Sequence, residues 1–96
     1  MSPADLRDAL AELAREAGLV VRVLTGDAEL EPGLAVTSGV CRLRGRWWVV
    51  LAARDPLERH IDVLAGALRE HAPEIIEERY LPPALRERLE RRERPR

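Results

Sequence analysis

The first apolar residues of the chain recur at a helical spacing. They follow one another at intervals of four, three and four positions: Leu6, Leu10, Leu13 and Ala17. This spacing places them on one face of an α-helix, with mostly charged residues on the other faces. Ser2 and Pro3 suit the N-cap and the first helical position, and Gly18 suits the C-terminal end. The pattern predicts a helix between Ser2 and Gly18.

The middle of the chain has the composition of β-strands. Residues 19–24 (LVVRVL) are short, β-branched and apolar, and a less regular segment after them suggests a loop with a short strand near residues 34–37. The clearest signal is GVCRLRGRWWVVL, residues 39–51, in which two β-type runs flank Arg44-Gly45 as in a tight hairpin. The run at residues 47–51 is apolar throughout, so we expect it to be covered on both faces, as a central strand or at an oligomer interface.

Two further helical patterns follow the hairpin. The first begins with Asp55, Pro56 and Glu58 as N-cap, first helical residue and capping-box acid, and Pro73 ends it. Its apolar stripe repeats the four-three-four spacing: Leu57, Ile61, Leu64 and Leu68. A short turn through residues 73–78 leads to a third helix, whose apolar row has a spacing of four: Leu81, Leu85 and Leu89.

The order of these elements predicts the fold class. A helix, three short strands and two helices indicate an α+β fold, a small two-layer sandwich in the order α-β-β-β-α-α. Because short turns join consecutive strands, we expect a three-stranded antiparallel sheet with the helices packed on one face. Residues 1–96 should form a single domain, with a basic and partly frayed C-terminal helix and tail at residues 82–96.

Charge is unevenly distributed along the chain. All sixteen basic residues are arginine, and the formal net charge is −1. Residues 79–96 carry seven arginines and three glutamates, so the C-terminal end is basic while the remainder is acidic. No stretch approaches the ~18 consecutive apolar residues that a membrane span needs, and MSPADLRDAL lacks the pattern of a signal peptide. We therefore expect a cytoplasmic protein with no membrane partner.

Few residues could carry metal or catalytic chemistry. A zinc site needs two histidines one helical turn apart, whereas His60 and His71 are eleven residues apart, about 16 Å along a helix axis. We expect both to be solvated, or His71 to cap the C-terminal end of a helix, where its cation would suit the dipole. Ser2 and Ser38 lie in no nucleophile motif, and the single Cys41 should be a buried thiol. The sequence predicts no metal, no cofactor and no catalytic residue, hence a protein that is not an enzyme.

Residues 39–71 combine a glycine-led strand, the hairpin RGRWWVVL, a short loop with a proline, and the helix ERHIDVLAGAL. This combination resembles the compact zincin domain of the ImmA/IrrE-type metallopeptidases, in which the corresponding helix carries HExxH. The resemblance places Gly66 at the first zinc histidine, Ala67 at the catalytic glutamate and Glu70 at the second histidine. All three positions are changed, so it implies a relative that kept the scaffold and lost the metal site.

Apolar and aromatic residues mark the surfaces that a protein partner could use. The candidate interface residues lie in the apolar strand, the middle helix and the last helix: Trp47, Trp48, Val49, Gly66, Tyr80, Leu81, Leu85 and Leu89. Because a mid-helix glycine lowers helix stability, we expect a tryptophan or a second copy of the helix to pack closely on Gly66. The sequence predicts a protein–protein interaction or adaptor module that forms a homo-oligomer, its last helix docking in cis or in trans.

A nucleic-acid-binding regulatory protein is the alternative interpretation. Its candidate arginines lie at the hairpin and in the tail: Arg42, Arg44, Arg46, Arg91, Arg92 and Arg94. Arginines beside tryptophans can bind phosphates and stacked bases. The acidic remainder of the chain and the spacing of Glu87 and Arg91, typical of a surface ion pair, favour a protein partner instead.

Overall fold

The computed structural model describes residues 1–25, 29–31, 34–35 and 38–91, and within these it has four helices and five strands. Their order is α1 (Pro3–Glu16), β1 (Val20–Leu24), β2 (Glu29–Glu31), β3 (Leu34–Ala35), β4 (Gly39–Leu43), β5 (Arg46–Ala52), α2 (Leu57–His71), α3 (Pro73–Glu78) and α4 (Pro83–Glu90). The predicted α+β class is confirmed. The segment at residues 73–78, predicted as a turn, forms the short helix α3.

The main sheet has three strands in the order β1-β5-β4. β4 and β5 form the predicted antiparallel hairpin, and β5 is the central strand. The prediction of a wholly antiparallel sheet is wrong, because β1 pairs with β5 in parallel. β5 lies between β1 and β4, which both precede it in the sequence. Val49 and Leu51 on one face of β5 are buried, whereas Trp48 and Val50 on the other face are half-buried. Within the described residues, β2 and β3 form a separate two-stranded antiparallel sheet.

The core lies between the sheet and the helices. Val49 and Leu51, on one face of β5, are buried with the apolar stripes of α1 and α2. Those stripes supply the largest fully buried helical side chains of the two helices: Leu10, Leu64 and Leu68. The helical spacings seen in the sequence therefore identify the faces that pack against the sheet.

Two local predictions from turn and cap residues hold. Ser2 Oγ accepts the Asp5 N–H at 3.1 Å, so Ser2 is the N-cap of α1. In the hairpin turn Arg44 and Gly45 both have positive φ, 53° and 78°, as the tightest two-residue turns require. These features depend only on neighbouring residues, which is why the sequence predicts them.

The predicted cap of α2 is wrong. Pro56 occupies the N-cap position, and no side chain caps the helix. Asp55 instead accepts the Ser38 N–H at 3.0 Å through Oδ2. A contact with a residue seventeen positions away has thus replaced the local capping bond that the spacing favours.

The last helix docks in cis. Leu81, Leu85 and Leu89 are buried against the rest of the chain, and Arg88, also buried, forms an ion pair with Asp62 of α2. These three leucines and Val49 therefore belong to the core of this chain, and of the four only Leu81 and Leu85 also line a surface groove. Residues 92–96, the end of the tail that the sequence predicts to be frayed, lie outside the described residues.

Candidate interaction surface

A buried histidine joins the sheet to α1. His60 is 4% exposed and bonds through Nε2 to the Ala52 carbonyl at 2.6 Å and through Nδ1 to the Arg7 guanidinium at 3.2 Å. A carbonyl only accepts and a guanidinium only donates, so the ring is the neutral tautomer with its proton on Nε2. The prediction that His60 is solvated is wrong, because both of its nitrogens have partners inside the fold.

The same region brings a serine and an aspartate near this histidine. Ser38 Oγ accepts the Ala52 N–H at 2.9 Å. The Ser38 hydroxyl and N–H donate to Asp55, and these two hydrogen bonds lower the pKa of Asp55 below that of a free carboxyl. Nucleophilic catalysis needs the histidine to contact the serine, whereas His60 bonds Ala52 and Arg7. The network holds the strand ends together and lacks the geometry of a catalytic triad.

His71 lies at the other end of α2 and stacks on Trp47. The two ring centroids are 3.7 Å apart with an angle of 19° between the planes. Both side chains are half-buried. His71 is the last residue of α2, which agrees with the predicted position at a helix C-terminus. Among the described residues, no group of three or more histidine, cysteine or acidic side chains could hold a metal ion. No helix in the described ranges is long and apolar enough to cross a membrane.

The hairpin between β4 and β5 forms a cationic projection, which we call the arginine hairpin (residues 42–46). Its three arginines, Arg42, Arg44 and Arg46, are exposed, and Leu43 is 46% exposed. The Arg42 guanidinium lies 5.4 Å from the centroid of the Trp47 ring, a cation–π contact. Strands β1, β4 and β5 contain no acidic residue. Among the described residues, these three strands therefore contribute positive charge alone to the surface.

The face of the sheet away from the helices presents the second tryptophan. Trp48 is half-buried, with the Arg22 guanidinium 5.4 Å from its ring centroid. The Trp48 Nε1 is buried and has no hydrogen-bond partner in the described part of the chain. Cys41, its neighbour across the β4–β5 pair, is exposed because it lies on an edge strand, so the prediction of a buried thiol is wrong.

Gly66 does not mark a close contact with either tryptophan. A Cβ added at Gly66 would meet only the terminal Nη2 of Arg69, at 4.0 Å. The glycine is half-buried, whereas Ala65 and Ala67 on either side are buried. The predicted close packing of a tryptophan on Gly66 is therefore wrong, and contact with a second copy of the helix stays a prediction.

We expect Gly66→Ala to raise the free energy of unfolding by about 1 kcal/mol, because alanine restricts the unfolded chain and fits the open space. Urea denaturation of the two proteins measures the change. Ala67→Gly is the matched control and should lower stability by at least as much, since Ala67 is 1% exposed. A loss of stability in Gly66→Ala would mean that another surface packs on this position.

A groove of about 330 Å³ lies between α1 and the segment from Arg79 to α4. Its floor is apolar, formed by Leu13, Leu81 and Leu85, and Tyr80 stands at its edge with 85% of its surface exposed. Tyr80 is the most exposed large hydrophobic side chain among the described residues. An amphipathic tyrosine beside an apolar floor is typical of protein interfaces.

One wall of this α1–α4 groove is acidic. Asp8, Glu12 and Glu16 project from successive turns of α1 along it. Asp8 pairs with Arg7 of the same helix, and Glu16 pairs with Arg79. Glu12 forms no ion pair within the described ranges. The groove thus combines an apolar floor, an exposed tyrosine and an excess of negative charge.

The remaining candidates for nucleic-acid binding are at the C-terminal end. Arg91 is exposed directly after α4. Arg92 and Arg94 lie outside the described residues. The structure therefore places three of the six arginines together on the hairpin and one, Arg91, at the C-terminal end of α4.

No protein-family model, curated protein or solved structure matches the chain. The resemblance to ImmA/IrrE-type domains therefore rests on the quoted segments of residues 39–71 alone. At the positions of that motif, α2 carries Gly66, Ala67 and Glu70.

Proposed function

We propose that this protein is a non-catalytic protein–protein interaction module that self-associates and serves as an adaptor. The observation that carries the proposal is a pair of surface patches with opposite charge. The arginine hairpin is positive, whereas the α1–α4 groove is predominantly negative and has Tyr80 at its edge. Complementary charge of this kind directs specific association between proteins.

The hydrogen bonds of His60 and Ser38 within the fold support a role without catalysis. A general base needs a lone pair that can reach a substrate. In His60 one ring nitrogen donates to a carbonyl and the other accepts from Arg7, and the hydroxyl of Ser38 is bonded on both sides. Because these groups already bond to other parts of the chain, we assign them a structural role.

The solution mass of the full chain tests the proposal. Sedimentation equilibrium over a wide range of concentrations should give a mass that rises from that of the 10.8 kDa chain to at least twice that value. Added salt should weaken the association, because exposed charges are screened. A mass that stays at one chain at every concentration would contradict self-association.

Nucleic-acid binding through the hairpin is the second candidate, and one observation favours it. The strands of the main sheet carry arginine and tryptophan without any acid, a combination that can bind phosphates. However, Arg22 and Arg42 lie over the Trp48 and Trp47 rings, so the aromatic surface available for stacking a base is reduced. Titration of single- and double-stranded DNA at increasing salt distinguishes the two candidates. A nucleic-acid site would lose affinity steeply with salt, and the interaction module should bind neither DNA.

A further inference from the structure

We infer that two copies of this chain pair about a two-fold axis, the arginine hairpin of each lying in the α1–α4 groove of the other. This inference rests on the proposed self-association and names the surfaces that carry it. The occupant of the groove is a second copy of the same chain. Three features of the molecule support this pairing: charge, apolar content and the relative position of the two patches.

The first feature is charge complementarity. The hairpin presents three exposed arginines, and its residues 42–46 include no acid. The groove presents Asp8, Glu12 and Glu16, with Arg79 as its one arginine. Two of these acids have partners within the chain, whereas Glu12 has none among the described residues. The guanidinium of Arg44, which has no ion pair in the described part of the chain, can supply that missing partner.

The second feature is an apolar residue in each patch. Leu43 is exposed at the hairpin and has no role in the core of its own chain. The groove offers an apolar floor and the ring of Tyr80, which is almost fully exposed. Seating Leu43 beside Tyr80 would remove both from water, which favours association.

The third feature is that the hairpin lies beside the C-terminal end of α1, which is also where one end of the groove lies. Arg46 of the hairpin donates to the Gly18 carbonyl, two residues beyond the last residue of α1, Glu16. Glu16 itself lines the groove. A two-fold axis near this end can therefore bring each hairpin to the opposite groove, and residue contacts repeat reciprocally in such a dimer.

Charge-reversed variants test the pairing. The hairpin variant is Arg42→Glu/Arg44→Asp, where aspartate tolerates the positive φ at that position, and the groove variant is Asp8→Arg/Glu12→Arg. Each alone should raise the dimer dissociation constant by more than about tenfold, since like charges then face each other. An equimolar mixture should recover the dimer, because the reversed hairpin fits the reversed groove and the unchanged surfaces fit each other.

Matched variants control for total charge. Arg15→Glu/Arg91→Glu and Glu70→Arg/Glu74→Arg change the net charge equally at exposed positions outside both patches, and both should still dimerise. If the unmodified chain dimerises and the hairpin and groove variants dimerise equally well, the pairing is wrong although self-association stands. If the unmodified chain is monomeric at every concentration, the proposed function itself fails.

One further variant tests the pairing without changing any charge. Tyr80→Ala removes a side chain that is 85% exposed, so the free energy of unfolding should stay unchanged. The dimer dissociation constant should rise about tenfold, as at an interface aromatic. An unchanged constant would exclude Tyr80 from the contact and overturn the pairing as described.

Discussion

Replacing Leu89 by alanine should lower the free energy of unfolding by about 3 kcal/mol. Leu89 is 1% exposed and is among the largest fully buried side chains of the protein. It packs from α4 into the core formed with α1 and α2, and the substitution leaves a cavity there. Urea denaturation followed by circular dichroism measures the loss.

The control for this substitution lies on the same helix. Glu87 is exposed on α4, so Glu87→Ala should change stability by less than about 0.5 kcal/mol. If Leu89→Ala were as mild as this control, α4 would not be docked in cis. Its apolar row would then be free for a partner, as the sequence left open.

Replacing His60 by leucine should lower the free energy of unfolding by about 2 kcal/mol. Leucine fills a similar volume but offers neither a donor to the Ala52 carbonyl nor an acceptor to Arg7. The guanidinium of Arg7 would lose its buried partner and the carbonyl one of its donors. Thermal or urea denaturation quantifies the effect.

A double-mutant cycle measures the contribution of the hydrogen bond between Arg7 and His60 to stability. Arg7→Ala, His60→Leu and the combined variant should show losses that do not add, since both single changes remove the same hydrogen bond. Additive losses would show that Arg7 and His60 act independently, and that their hydrogen bond contributes nothing to the free energy of unfolding.

Local signals in the sequence predict much of the fold. The N-cap at Ser2, the hairpin turn at Arg44-Gly45 and the apolar stripes of α1 and α2 involve residues close together in the chain. Their physical causes, a capping oxygen, a positive φ and one buried helix face, act within a turn or two. Such features need no knowledge of distant contacts.

Non-local pairing limits the prediction. The parallel pairing of β1 with β5 depends on which strand occupies the centre of the sheet, and strand composition indicates only that β5 is covered on both faces. Asp55 does not cap α2 because it accepts a hydrogen bond from Ser38, seventeen residues away. Neither contact has a signature in the neighbouring residues.

The burial of His60 was indicated by its spacing in the helix, although its residue type does not favour burial. It follows Leu57 by three positions and precedes Leu64 by four, so it lies on the apolar face of α2. Histidine is intermediate in burial preference, so the residue type alone does not decide between a solvated and a buried ring. The spacing was the better guide, and its polar partners on α1 and β5 could only be seen in the fold.

In the candidate site, too, features of single residues could be predicted from the sequence, whereas features that need distant segments could not. The sequence alone shows that the hairpin is cationic, because it contains Arg42, Arg44 and Arg46. Tyr80 is exposed, as expected of a residue predicted to contact a partner. The groove is formed by α1 and by the segment from Arg79 to α4, more than sixty residues apart in sequence. Its acidic wall on α1 looks like an ordinary solvated helix face until that second element is in place.

Contact between Leu43 of one copy and Tyr80 of another is the most direct test of the proposed pairing. Tyr80 is the only tyrosine of the chain, so its ring protons are unambiguous. In an equimolar mixture of isotope-labelled and unlabelled unmodified protein, isotope-filtered NMR should show nuclear Overhauser effects between the Leu43 methyl groups and the Tyr80 ring of the other copy. If the protein is dimeric and these intermolecular effects are absent, the hairpin does not occupy the groove and the pairing is contradicted.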